Sequence, residues 1–351
     1  MASITHVLDH LGDTILKLTT PDLGAADGKS YDQWGSPKTP ESDDSQPQAE
    51  HDASEVVYEV RFKVSSRHLC LASPVFKAMF EGPWKESNGT SLEPSEILAS
   101  DFNAEAFHIL LIMMHLQPEK IPETMKLRTM RDVALIADYY DCMKILHLYG
   151  HRCHWDDEES LLLKDRDLER WAESKRAEIL FVAWAFQLDL FSKITYLIMR
   201  FSDNHLETDL PLPVLLLDAL EEERMNVIHF FAREIDRILN NFLNKTVCSK
   251  RCDITSFEKI LEDLKADGYD ESKEDPYHET SPLRLYEILH HDFPFWYEEL
   301  GAAHYMCPKF AAHENVVNPT SVPQSLAEFR LTKDGDWAVH RIDQAWDARP
   351  W

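Results

Sequence analysis

The chain has 351 residues, 44% hydrophobic and 28% charged, with Lys+Arg 36 against Asp+Glu 62 for a formal net charge of −26. That length buries a core without staples, which excludes a small disulfide scaffold. The acidic balance repels nucleic acid, and no run of five Lys/Arg offers the basic stripe that phosphate tracking needs. Glycine numbers 10, where average usage gives about 25. No GxGxxG, Walker A or GxSxG spelling occurs, which disfavours enzymes built on glycine-rich loops.

Met1 to His10 lacks a basic stretch followed by an apolar one, so no secretory signal is read. The longest apolar runs, such as Ile179 to Phe186, fall far short of the roughly 18 residues of a membrane helix. The expectation is an intracellular protein, cytoplasmic or nuclear, with no membrane span. Its Cys 6 are then expected as reduced thiols, core residues or metal ligands.

In chain order, Ile4, Val7, Leu8 and Leu11 fall at helical spacing and predict a short amphipathic helix. Asp13 to Leu18 reads as a strand. Between Asp22 and Glu55, nine acidic residues face two lysines, and Ser, Pro and Gly replace almost all large apolar side chains. That composition predicts a disordered acidic insertion at about 22–55. Beyond it, Tyr58, Val60, Phe62 and Val64 alternate with Glu59, Arg61 and Lys63, the period of a half-buried strand.

Ser73-Pro74 places a capping hydroxyl before a proline suited to the first helical position, with Val75, Phe76, Met79 and Phe80 on one face. Asn103 is expected to cap a second helix through Phe107, Leu110, Leu111 and Met114. Thr129 is expected to cap a third through Met130, Val133, Ala134 and Ala137.

The run His68-Leu-Cys-Leu-Ala-Ser-Pro-Val-Phe-Lys-Ala-Met-Phe80 closely resembles the signature of BTB/POZ domains. Gly12-Asp13-Thr14-Ile15, Asn103-Ala-Glu-Ala-Phe107 and Ala134-Leu-Ile-Ala-Asp-Tyr-Tyr140 follow in the family's order. The spellings Trp84-Lys-Glu-Ser87 and Ala137-Asp-Tyr-Tyr-Asp-Cys142 look most like the fungal group of BTB-containing proteins. The resemblance implies an α+β fold over residues 1–150, a small sheet flanked by helices, with the acidic insertion where the family has a tight hairpin.

As a family, BTB domains are protein–protein association modules, often homodimeric. The implied function is therefore scaffolding in intracellular regulation rather than catalysis. Ile4, Val7, Leu8 and Leu11 are the expected dimer interface, because a lone amphipathic stripe needs a partner. The alternative is a substrate adaptor for a cullin-based ubiquitin ligase. Such adaptors resemble one another in carrying an apolar residue, any residue, then Glu after the signature helix, which points to Trp84 and Glu86. No kelch, MATH-like, ankyrin or zinc-finger reader accompanies the BTB text.

Residues 155–312 read as an α-helical region. Ile179, Val182, Ala183 and Phe186, then Leu190, Ile194, Leu197 and Ile198, form core stripes, and a long helix runs from about Val214 to Phe242. Residues 313–351 read as an irregular tail. Cys248, Cys252, His304 and Cys307 offer three thiolates and one imidazole, a donor set suited to a structural zinc. Buried free cysteines are the competing reading. His147, His151 and His154 near a helix end are better read as dipole partners than as ligands. No cofactor is expected, and no nucleophile, base and phosphate cradle come together to suggest an enzyme.

Overall fold

Strand periodicity organises the first part of the chain. Leu16 and Leu18 in β2 (Thr14–Thr20) and Val60, Phe62 and Val64 in β3 (Tyr58–Val64) are fully buried, while their neighbours are not. β2 and β3 pair antiparallel, with Leu16 opposite Phe62 and Thr20 opposite Tyr58. The computed structural model describes residues 3–20, 58–81, 94–155, 172–188, 190–244, 250–266, 269, 276–277, 280–287, 326–331 and 337–342. The acidic insertion falls outside the described residues. The chain divides into two units, one formed by Met1–Leu163 with Phe181–Leu188, the other by Lys164–Leu180 with Asp189–Trp351.

In the first unit, β1 (Ser3–Val7) lies parallel to β3 and forms one edge of a four-stranded mixed sheet, with order β1-β3-β2-β4. This corrects the expected N-terminal helix. Three of the four residues Ile4 to Val7 are β-branched, which favours extended backbone, and a segment this short cannot nucleate a helix alone. The four apolar residues consequently share no stripe: Leu8 is 6% exposed, whereas Val7 is 43% and Leu11 93% exposed.

After β3 come α1 (Ser66–Ala72) and α2 (Pro74–Glu81), then β4 (Ser95–Ser100), parallel to β2. Asn103 caps α3 (Ala104–Met114), its side chain accepting from the Ala106 N–H at 2.9 Å. α3 is buried on every side, wider than the single expected stripe, which marks it as the central helix of the unit. The short strand β5 (Thr124–Met125) precedes α4 (Leu127–Tyr139), which begins two residues before Thr129. Lys126 therefore takes the N-cap position, without a side-chain cap bond. α5 (Met143–Tyr149) and β6 (His154–Trp155), parallel to β5, follow.

The helical region is α6 (Glu173–Ala185), α7 (Phe191–Phe201), α8 (Val214–Asn244), α9 (Lys250–Ala266) and α10 (Pro282–Glu287). In the second unit, Ile228, Phe231 and Ile235 of α8 form a core with Leu264, Tyr277 and Leu285. In the tail, β7 (Leu326–Leu331) and β8 (Trp337–Ile342) pair antiparallel, so this part is not irregular as expected. The spelling Asp334-Gly335 between them in the sequence is a hairpin signal. Among the described residues, no helix is long and apolar enough to cross a membrane.

Candidate interaction surface

The signature residues of the first unit hold distant segments together. Ser73 is fully buried; its hydroxyl accepts from the Phe76 N–H at 3.1 Å and donates to the Tyr140 carbonyl at 2.5 Å, joining the start of α2 to the end of α4. Phe76 stacks on the Tyr140 ring at 4.3 Å between centroids and 8° between planes. Burial of one phenyl ring contributes roughly 2–3 kcal/mol. A serine capping α2 and a phenylalanine at its third position are thus required by one contact, the α4 terminus.

A second lock fixes the start of α1. The Asp13 carboxylate accepts from the Ser66 N–H at 2.8 Å and the Ser66 hydroxyl at 2.6 Å. Partial burial pushes the Asp13 carboxyl up, but the Ser66 bonds outweigh it and hold it below the usual value. The preceding Ser65 N–H donates to Nε2 of His115 at 3.0 Å, and Nδ1 of His115 faces the Leu111 carbonyl at 2.7 Å. An N–H can only donate, so Nε2 keeps its lone pair and Nδ1 carries the proton. Burial lowers the His115 pKa, in keeping with this neutral tautomer. Gly12 is needed beside this lock, since a Cβ there would lie 2.5 Å from the Val64 carbonyl oxygen.

These locks set the turn after β1. The Leu8 N–H donates to the Lys63 carbonyl at 3.0 Å, and the Gln117 amide donates to the Leu8 carbonyl at 2.8 Å. His6 stacks on Phe62 at 5.4 Å and lies 4.5 Å from the His108 ring. Burial, then the His6 and Lys120 charges, drops His108 to about 3, and burial lowers His6 as well. With Leu8 anchored inward, Val7 and Leu11 are left on the surface on either side of it. The backbone of Ile4 belongs to β1, and its side chain is outside the described residues.

Of the other candidate residues, Trp84 and Glu86 lie outside the described residues, beyond the end of α2 at Glu81. Cys248, His304 and Cys307 are likewise outside them; Cys252 sits on α9, its side chain not among those described. Among the described residues, no group of three or more His, Cys, Asp or Glu is arranged to hold a metal ion. Cys142 and Cys153 are buried core thiols, the first pushed up to about 12 by burial and the nearby Asp141 and Asp138, the second to about 11 by burial. Thiols held that far from ionisation are inert as nucleophiles. His147 is lowered by burial and then by Lys144.

Residues that periodicity did not flag are His6, His108 and His115. The sequence signal for His115 was its place one residue past α3, where a ring can turn back on the last helical turn.

Residues 44–155 match the family model described as BTB/POZ domain. The matched span begins beyond β2, and the structure pairs β2 with β3 and β4 in the same sheet, across the insertion. No curated protein and no solved structure matches the chain. The chain thus carries a BTB/POZ domain, a small mixed sheet with helices, followed by a helical region.

Proposed function

We propose that the protein is a homodimerising scaffold, associating through the turn that follows β1 and acting inside the cell, in cytoplasm or nucleus. A BTB/POZ domain implies protein partners, and the observation that carries the dimer reading is local. Val7 and Leu11 stand exposed beside Leu8, whose side chain is committed to the protomer's own core. An interface needs an apolar patch held rigidly, and the Gln117 and Lys63 bonds to the Leu8 backbone supply that rigidity. Leu8 is the anchor of this patch rather than its contact. No catalytic step belongs to this reading.

Sedimentation velocity at micromolar concentration tests it. The wild-type chain is expected as a dimer, and Val7→Asp with Leu11→Asp is expected to raise the dissociation constant at least about tenfold at unchanged unfolding temperature. A chain that is monomeric at every concentration would end the reading.

The cullin-adaptor reading rests on Trp84-Lys85-Glu86, three residues beyond the signature helix. An indole entering a groove, with a carboxylate at its rim, would make a small hot spot. Titration with a purified cullin amino-terminal region decides it: Trp84→Ala with Glu86→Ala must abolish the binding. The zinc set is proposed on donor chemistry alone. Elemental analysis should then find close to one equivalent, lost in Cys252→Ser, together with a fall in thermal stability.

A further inference from the structure

β1 is an edge strand whose five residues, among the described residues, pair with β3 alone. Of its described side chains, Thr5 and Val7 are exposed and only His6 turns inward. His6 lies opposite the fully buried Phe62 in the parallel register, so both project to the face on which α3 lies. There His6, Phe62 and His108 form a triangle of rings, with centroids 5.4 Å apart for His6 and Phe62, 5.6 Å for Phe62 and His108, and 4.5 Å for the two imidazoles.

This contact suits two neutral imidazoles. A proton on either ring puts a charge where water is largely excluded, and a second proton sets like charges 4.5 Å apart. Burial lowers both histidines, and the charges of His6 and Lys120 press His108 further in the same direction. Glu105, one turn earlier on α3, does not overcome them. Glu59, Arg61 and Lys63 alternate with Phe62 to the opposite face of β3. His115, at the end of α3, is committed to the Ser65 N–H and the Leu111 carbonyl.

We propose that mildly acidic pH releases β1 from the sheet while the rest of the BTB unit stays folded. The strand moves rather than the helix, because α3 is buried on every side whereas β1 is held by one ladder and, among its described side chains, one inward ring. Leu8 marks the hinge, held by its buried side chain and by its bonds to Lys63 and Gln117. On release His6 enters water, and His108 loses both its cover and the His6 charge. Each histidine that regains its ordinary proton affinity favours release by up to about tenfold per pH unit below about 6.5. Val7 leaves with the strand, so acid also takes apart the dimer contact; that consequence rests on the dimer reading, and the release itself does not.

Hydrogen–deuterium exchange of the full chain, diluted below the dimer dissociation constant, tests the release at about pH 7 and about pH 5, with rates corrected for the pH dependence of chemical exchange. Protection of Ser3–Val7 is expected to fall about tenfold or more at the lower pH, while that of β2 and α3 changes less than about twofold. His6→Phe with His108→Leu keeps the contact apolar and should hold Ser3–Val7 protected at both pH values. If the double variant fails to fold, His6→Phe alone, which keeps a ring on Phe62, should lessen the change at least about threefold. Equal protection of Ser3–Val7 at both pH values overturns the proposal, as does a loss shared evenly by β2 and α3, or an undiminished loss in the folded variant. Because release is read in the monomer and dimerisation by sedimentation at neutral pH, either idea can fail alone.

Discussion

The BTB unit and the helical unit are held in different ways. In the first, four bonds made by polar side chains bridge far-apart segments: Ser73 to Tyr140, Ser66 to Asp13, His115 to the Ser65 N–H and Gln117 to Leu8. In the second, Thr195 bonds Phe191 of its own helix at 3.1 Å, and the longer links are fewer among the bonds described, Arg224 to the Asp203 carbonyl and Tyr277 to Asp236. A long-range bond demands one residue type at each end, so it leaves a spelling in the sequence. A helix stripe accepts any apolar residue of fitting volume, so it leaves only a period.

The largest expected effect breaks a backbone approach in the first unit. A Cβ at Gly150 would overlap the carbonyl oxygen of Phe186, both within that unit. Since backbone rather than a flexible side chain must move, Gly150→Ala should cost about 3 kcal/mol in urea unfolding. A loss below about 0.5 kcal/mol would show that the approach is not tight.

Arg224 tests whether the helical unit also depends on particular residues. It is buried, bonds Glu221 through Nε and Nη2, and donates from Nη1 to the Asp203 carbonyl at 3.0 Å. Arg224→Ala leaves that carbonyl and part of the Glu221 charge without their donors, which should cost about 2 kcal/mol. Because Glu221 is partly exposed, the loss should stay below that of a fully buried pair.

A smaller contrast compares one hydroxyl in each unit. Ser73→Ala removes a helix cap and a buried bond to another helix, with an expected loss of about 1.5 kcal/mol. Thr195→Ala removes a bond to a carbonyl four residues back in its own helix, with an expected loss of about 0.5 kcal/mol or less. Equal losses would erase the proposed difference between long-range and local bonding.

The pH dependence should come from the first unit as well. His6, His108 and His115 have folded pKa values lowered chiefly by burial. Below about 6.5 the unfolded chain takes up protons that the folded chain refuses, so stability falls as the pH drops toward the folded values, about 3 for His108. Asp13 adds to this below its ordinary value of 3.8, as pH falls through its lowered folded pKa. Asp138, raised by burial and then by Asp141, works in the opposite direction over the carboxylate range. The urea midpoint should therefore decline from pH 6.5 downward, and His115→Gln should reduce the slope. A midpoint flat between pH 6.5 and 5 would contradict the neutral tautomer assigned to His115.

The same contrast explains how far the fold could be read. Ser73-Pro74 and Asn103 were legible because capping chemistry is specific, and β2 and β3 because their inward positions are all apolar or Thr. β4 was missed: Ile97 and Ala99 face inward, but Leu98 faces out, which erases the alternation. β1 was misread because Ile4, Val7, Leu8 and Leu11 fit a helix period by coincidence, while the parallel pairing to β3 that decides their conformation is nonlocal. α8 was legible almost to its ends, yet the meeting of Ile228 with Leu285 was not, because a stripe does not name its partner. Of the expected interface, the exposure of Val7 and Leu11 could not be told from the burial of Leu8 without the turn that separates them.

Hydrogen–deuterium exchange of the full chain at two concentrations, one well above and one well below the dimer dissociation constant, tests the central reading most directly. The account predicts that peptides covering Ser3 to Leu11 exchange more slowly in the concentrated sample, while those covering α8 exchange alike in both. Protection of Ser3 to Leu11 that does not change with concentration, in a chain that remains folded, would contradict association through this turn.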